Sequence, residues 1–445
     1  MDRRIDKARK QEQGQVILLL AIALVALLSM AALAIDVVTL YVARSEAQRA
    51  ANAAAIAGAK MFATSGFTSV QGGGTPPVLQ ADVCQNGGPG LPAGANVQAE
   101  KVAAQNTVAG HVATVAPAVG IQCNFTAAGN PRIAVTINQG GLPTFFAKIW
   151  SRASNSVTAT AVAEAYNPSG NGPPIQVAVK PWLIPNCDSS QPNPPNLNCG
   201  GSAYFVNPDG TIANNGSFIG NMLTLARVPA TGIPAANTYY TLDIPVAPLA
   251  QPGALAVCPS TGAPSCGTVG TDTYLDNIAC SSQVQFSCRQ PLGPGDIPVD
   301  NAPGFGNRTN EGTQCLIHAN TGTAGLGQGQ DILPQPIPNG KPVAITGGDN
   351  NPNPALQGVG NISRSDSVVT VPLYDGARLC TGVNCTVNTT VVGFLQLGIR
   401  QRMAGPPNGR IEAIILNVAG CNPAPTGSTV SGGGVSPIPV RLITQ

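Results

Sequence analysis

Charge and aromatic rings are scarce in this 445-residue chain: 10% of residues are Asp, Glu, Lys or Arg, and 4% are Phe, Trp or Tyr. The net charge of +2 comes without a concentrated basic face, which excludes the electrostatic footprint of a nucleic-acid-binding protein. The one basic cluster is Arg3, Arg4, Lys7, Arg9 and Lys10. Histidine is limited to His111 and His318, and no CxxC occurs, so a zinc site lacks its usual ligands. GxSxG is missing, and a Ser-His-Asp triad would have to draw on His111 or His318, neither in a recognisable setting. A Walker A loop is missing too: Gly340-Lys341 runs into Pro342, which disrupts the helix start that cradles phosphate. Gly325-Leu326-Gly327-Gln328-Gly329 has no strand before it and reads as a flexible loop. Asp349, Asn351 and Asn353 alternate as calcium ligands do, but Pro354 stands where the loop needs Gly, and no Glu follows at the twelfth position. No cofactor, metal, nucleic acid or small-molecule substrate is expected, and the chain reads as non-catalytic.

Cysteine is absent from the first 83 residues and then occurs twelve times, from Cys84 to Cys421. Several lie close together: Cys187 and Cys199, Cys258 and Cys266, Cys280 and Cys288, Cys380 and Cys385. They sit among Pro, Gly, Asn and Ser, which is loop chemistry. An even count in such loops points to disulfides made in an oxidising compartment, with the connectivity left open. The 52 glycines and 40 prolines fit a loop-rich, β-leaning protein, and 43% hydrophobic residues suffice for a core. The length allows two or three domains.

Neither a charge nor a strong breaker interrupts Val16 to Ile35. As a helix this run spans about 30 Å, the thickness of the hydrocarbon layer. The basic residues before it, against Asp36, Arg44 and Arg49 after it, predict a cytoplasmic tail over residues 1–15, a transmembrane helix over 16–35 and an exported body. Asp36 then marks the exit from the membrane. Ala32-Leu33-Ala34 offers a rival reading as a signal-peptidase site. The apolar run is longer than a usual signal core and no turn-former precedes the cut, so a retained anchor is favoured. Past Asp36, Ala, Gln, Arg and Glu sustain the helix; if continuous, Gln15 to Gly58 makes a rod of about 65 Å. Ala47, Ala51 and Ala55, with Ala50, Ala54 and Gly58, form rows of small residues four apart. Such rows let another helix or sheet approach closely, either within the chain's own domain or in a partner.

Gly14-Gln15 before the span, Ala34-Ile35-Asp36 at its end, Tyr41 with Arg44, and the run Gln48…Ala50-Ala51-Asn52-Ala53-Ala54-Ala55 together resemble the N-terminal region of TadG-like proteins of tight-adherence (Flp) pilus assembly. The likeness covers residues 14–60. Arg132 to Ala165 is similar, more loosely, to the strand, Phe-rich turn and strand that follow in that family. "SVVTVPLYDG", "VVGFLQLGI" and "RIEAIILNVAGC" resemble C-terminal strands of its long members. The resemblance implies an inner-membrane, single-pass protein whose partners are pilin or pilus-assembly proteins and whose bulk is periplasmic or extracellular. Two departures stand out. Prepilins carry Glu at the fifth position after the cleaved Gly, whereas here the fifth residue after Gly14 is Leu19. Family members with a von Willebrand A domain carry Asp-x-Ser-x-Ser, which neither Asp188-Ser189-Ser190 nor Ser363-Arg364-Ser365-Asp366-Ser367 reproduces.

The body reads as α+β. Residues 61–172 form a small unit: Ala95 to Ala116 has helical composition with Val108, Val112 and Val115 on one face, Ile133 to Ile137 alternates as a strand, Pro143 to Trp150 reads as a short helix, and Val157 to Tyr166 as a strand. A β-rich, disulfide-containing domain occupies 175–445. It has strands at Ile175 to Ile184, Tyr239 to Val246, Val368 to Tyr374, Val391 to Ile399, Arg410 to Val418 and Ile438 to Ile443, the late strands completing a sheet begun by the first. The leading expectation is a protein that assembles or anchors a Flp-type pilus. An exported adhesin using the same N-terminus, and a membrane-anchored periplasmic enzyme, are the alternatives. Fractionation separates anchor from signal peptide: the full-length chain is expected in the membrane fraction, and a soluble chain beginning at Ile35 overturns the anchor.

Overall fold

The computed structural model describes residues 2–64, 80–84, 94–117, 120–125, 131–143, 154–165, 179–186, 205–208, 213–228, 237–242, 244, 272–280, 286, 288–292, 299–300, 304–319, 329–333, 344–351, 353–360, 362, 365–375, 380–381, 384–385, 389–403, 405–421 and 440–443. In chain order the helices are α1 (Asp2–Thr64), α2 (Gln80–Cys84), α3 (Ala95–Ala104), α4 (Thr273–Ala279) and α5 (Phe305–Leu316). The strands are β1 (Thr107–Val108), β2 (His111–Val112), β3 (Ile121–Asn124), β4 (Arg132–Pro143), β5 (Ser154–Ala165), β6 (Trp182–Pro185), β7 (Met222–Arg227), β8 (Thr238–Leu242), β9 (Pro291–Leu292), β10 (Val299–Asp300), β11 (Val368–Tyr374), β12 (Cys380–Thr381), β13 (Asn384–Cys385), β14 (Thr389–Arg402), β15 (Ile411–Gly420) and β16 (Val440–Ile443). The chain divides into two compact units: Met1–Ala55 with Glu100–Gln122 and Ala134–Ala161, and Ile56–Ala99 with Cys123–Ile133 and Val162–Gln445.

Helix α1 is unbroken over 63 residues, about 95 Å at 1.5 Å per residue. No Gly or Pro lies between Gln15 and Ala57, and Leu, Ala, Gln and Arg keep propensity high throughout. The helix expected over Ala95 to Ala116 ends earlier, at Ala104. Ala109 and Gly110 both take positive φ, 51° and 81°, and fold β1 back on β2 with Val108 opposite His111. That is the geometry of a two-residue hairpin turn, and the β-branched Thr107, Val108 and Val112 suit its strands. Val115 then bridges to Ile137. Ile133, Val135 and Ile137 alternate as expected and are buried on one face of β4. β5 covers the second expected strand up to Ala165. Pro143 closes β4; the rest of the expected Pro143–Trp150 helix, and the Gly172-Pro174 boundary, lie outside the described residues. β3, β4, β5 and β16 form one sheet in the order β16-β5-β4-β3.

The second unit contains a closed barrel of six strands. Around the ring β8 pairs antiparallel with β6, β6 parallel with β11, β11 antiparallel with β14, β14 with β15 and β15 with β7, and β7 pairs parallel with β8 to close it. All six contribute to one core cluster, including Trp182, Leu225, Tyr239, Val371, Leu397 and Ile415, so this face is the lumen and side chains fill it. Tyr274 and Ile278 of α4 and Phe305 and Leu316 of α5 join that cluster. The strands expected at Val368–Tyr374, Val391–Ile399 and Arg410–Val418 all lie in the ring, and the first pairs with β6 as expected. The last expected strand does not: β16 pairs antiparallel with β5, where Arg441 and Arg132 both reach Glu164, one of the most deeply buried carboxylates. A carboxylate without water needs that neutralisation, and it fixes where β16 can dock.

Lys180, just before β6, is fully buried and donates through Nζ to the carbonyls of Ile278 (2.7 Å) and Cys280 (2.6 Å) at the end of α4. Burial pushes its pKa down to about 7, against a smaller opposing pull from Asp366. A neutral amine still has two hydrogens for two carbonyls, so losing the charge costs neither bond. The folded pKa lies below the ordinary 10.5, so between these values the unfolded chain holds the extra proton and stability rises with pH, by up to about 1.4 kcal/mol per unit. Denaturant titrations from pH 7 to 9 should show that rise in the natural protein and a flatter profile in Lys180→Met; equal slopes would assign the effect to another group.

Candidate functional site in the N-terminal helix

Along α1 the apolar side chains from Val16 to Val42 stand outside the fold: Leu18, Leu24, Leu28, Met30, Ile35, Val38 and Tyr41 are all exposed. The helix from Val16 to Ala63 is long and apolar enough to cross a membrane, and its most apolar window is 6% buried. Water would penalise so much exposed Leu, Ile and Val by about 1.5–3 kcal/mol for each side chain that could otherwise be buried. A continuous patch of that kind calls for an apolar surrounding.

A second face of the same helix is buried. Asp36, Ala43, Ala47, Ala50, Ala54, Ala57 and Met61 recur at intervals that keep one stripe turned inward, with Ala32 one turn before them. Ala51 and Ala55 flank the stripe and are also fully buried. At Gly58 a Cβ would lie 2.5 Å from Ile133 Cδ1 and 3.2 Å from the Ala95 carbonyl, so glycine is what allows this approach. Polar contacts fix the helix laterally: Gln48 Nε2 donates to the Thr160 carbonyl (3.1 Å), and the Ala109 amide at the β1–β2 turn donates to Glu46 Oε2 (2.7 Å). Asn417 Nδ2 donates to the Ala63 carbonyl near the helix end, and Phe62 meets Phe125 edge-on at 5.3 Å. Of the two roles open to the small-residue rows, packing in the chain's own fold or against a partner, the face carrying Ala47, Ala50, Ala51, Ala54, Ala55 and Gly58 is occupied by this chain itself.

Two disulfides join cysteines far apart in the chain. Cys84 pairs with Cys123, and Cys288 with Cys421 across 133 residues, so Cys280 and Cys288 are not partners. Cys280 and Cys315 are disulfide-bonded and share a buried cluster with Ala279. Cys380 and Cys385 face each other in register across the β12–β13 hairpin, whose side chains are not described. Cys187, Cys199, Cys258 and Cys266 lie outside the described residues. Nothing in the sequence marked Cys84 with Cys123 or Cys288 with Cys421, because folding rather than chain proximity brings them together.

Elsewhere, His318 has Nε2 3.2 Å from Asp366 Oδ2. The nearby Ser365 donates its Oγ to Asp331 (2.6 Å), so that hydroxyl is engaged away from the histidine. His111 is exposed on β2. Asn351 donates to Asp331, and Asn353 caps a short helical turn by accepting from the Ala355 amide, so these side chains form turns around Asp331. Among the described residues no group of three or more His, Cys, Asp or Glu is placed to hold a metal.

These observations define an α+β protein with one exposed apolar helix and a β-rich, disulfide-linked body. Residues 14–61 match the Tad family model, described as "Putative Flp pilus-assembly TadE/G-like". The N-terminal region is thus TadE/G-like, as its residues indicated, and ties the chain to Flp pilus assembly. No curated protein and no solved structure matches the chain.

Ala54 provides a test of the buried face. Leu in place of Ala54 adds volume where the site is closed, which costs about 1–3 kcal/mol. Ala54→Leu should lower the thermal midpoint in detergent while Leu24→Ala, on the exposed face, leaves it unchanged; unchanged stability in Ala54→Leu would mean the face is open.

Proposed function

We propose that this chain is a non-catalytic, single-pass membrane protein that assembles or anchors a Flp-type pilus, with its tail in the cytoplasm and its disulfide-linked body on the far side of the inner membrane. The observation that carries the reading is the coincidence, in one helix, of the TadE/G-like match over residues 14–61 and the exposed apolar face from Val16. Disulfides at Cys84–Cys123 and Cys288–Cys421 support an oxidising compartment for the body, and the basic residues before Val16 support the orientation. The span holds the protein in the bilayer, and the alanine face of α1 is buried. Partner contact then falls to the surface of the body or to the exposed face of the span, since the small-residue face is filled. Deleting the gene should abolish surface pili and restore them on complementation with the full chain. Complementation by a chain lacking residues 14–61 should fail. Normal piliation in the deletion strain would refute the assignment, and protease-accessible chain on intact, normally piliated cells would favour the adhesin.

A further inference from the structure

We propose that the membrane-contacting surface continues beyond Asp36 on one side of α1, and that the β1–β2 hairpin lies against the bilayer surface beside it, so that this hairpin is seated in the lipid interface rather than held above it. The inference deepens the single-pass reading and rests on it. Asp36 is the residue at which a simple span would leave the membrane. Yet Asp36 is only 4% exposed and belongs to the inward stripe with Ala32 and Ala43. Its carboxylate meets the protein and not solvent. The outward side does not turn polar at this level: Val37, Val38, Tyr41 and Val42 are all exposed, Tyr41 at 76% and Val42 at 49%.

From Val16 to Val42 the exposed apolar face is about 40 Å long, beyond the roughly 30 Å of the hydrocarbon core but within the span that includes the interfacial layers. Tyrosine at the far end fits that layer, where an aromatic body and a polar tip are both satisfied. Arg44 and Arg49 follow, both exposed, at the height where cationic side chains meet phosphate headgroups.

A second element reaches the same level. Glu46, one turn beyond Val42, accepts the Ala109 amide at the tip of the β1–β2 hairpin. That hairpin exposes Val112 at 58%; outside α1 the only other large exposed hydrophobics among the described residues are Ile332 and Leu442. The hairpin is pinned to the helix at the end of the apolar face, and its exposed Val112 has an apolar surface to meet if the bilayer reaches that height. The occupant is lipid, because this patch is continuous with the lipid-facing surface of the span and carries the Val, Tyr and Arg sequence of an interfacial layer.

The test uses full-length protein in phospholipid vesicles, with an environment-sensitive fluorescent amino acid replacing Leu24, Val42 or Val112 one at a time. Brominated lipid and aqueous iodide serve as quenchers. Blue-shifted emission and loss of fluorescence to brominated lipid at all three sites, with little loss to iodide, is the expected result. Lipid quenching at Leu24 together with iodide quenching at Val42 and Val112 overturns the interfacial seat and leaves the span intact. Protection of Val42 from both quenchers also overturns it, in favour of a protein occupant. Iodide quenching at Leu24 removes the span itself and the single-pass reading with it.

Discussion

An apolar segment placed away from water must satisfy every backbone N–H and C=O within itself, and a continuous helix does this without outside partners. Helix α1 meets that requirement over 63 residues and then uses the same regularity for a different end. Once the backbone is self-satisfied, the face presented at any height depends only on side chains. Leu, Ile and Val on the outward side suit a lipid surrounding, while Ala32, Ala43, Ala47, Ala50 and Ala54 on the inward side take up so little volume that the fold closes on the backbone. Residues 16–31 are exposed on every side, and from Ala32 onward the helix divides into an exposed and a buried face. At the level of Val37 to Val42 an exposed apolar face and a buried face coexist.

The barrel shows the second economy. Six strands with two parallel pairings close on themselves, so none of the six presents a full open edge in that ring. Closure needs strands far apart in sequence: β7 pairs with β15 across nearly two hundred residues of chain, and β6 with β11 across a similar separation. The Cys288–Cys421 bond ties the segment before β9 to the residue after β15, at the end of that closure. Cross-links over loops of this length contribute on the order of 2–5 kcal/mol. Asp331 anchors a neighbouring segment with neutral donors alone, accepting from the Gly348 amide, Asn351 and Ser365. There is no room for a side chain at Gly348, where a Cβ would fall 2.1 Å from the Gln330 carbonyl, so that turn is held by backbone proximity as well as by hydrogen bonds.

Much of this was legible in local pattern. The apolar run, the absence of breakers and the helix formers from Ala43 onward dictate α1; alternation at Ile133 to Ile137 marks β4, and apolar β-forming runs mark β11, β14 and β15. What was not legible had non-local causes. Ala95 to Ala116 carries helical composition, yet two positive-φ residues at Ala109 and Gly110 reverse the chain, and only the glycine hinted at it. β16 reads as one more strand of the barrel, but its place is set by Arg441 meeting Glu164, a charge pairing across 277 residues. The small-residue rows were visible at once; whether a partner or the chain itself fills them depends on the packing of residues distant in sequence.

The treatment of carboxylates bears on Leu19. Three shielded acids among the described residues are surrounded by donors: Glu164 by two arginines, Asp331 by an amide, an asparagine and a serine, Glu412 by Arg400 at 2.5 Å and Gln401 at 3.1 Å. A glutamate in the span would need the same, and none of the neighbours on the exposed face from Val16 to Ile22 could provide it; such a residue is tolerable only where another chain brings the counter-charge. Leu19 is 66% exposed on that face. The absence of Glu there fits a stretch, residues 16–31, that is exposed on every side and almost wholly apolar. The same helix that carries the TadE/G-like match is in this respect suited to an apolar surrounding.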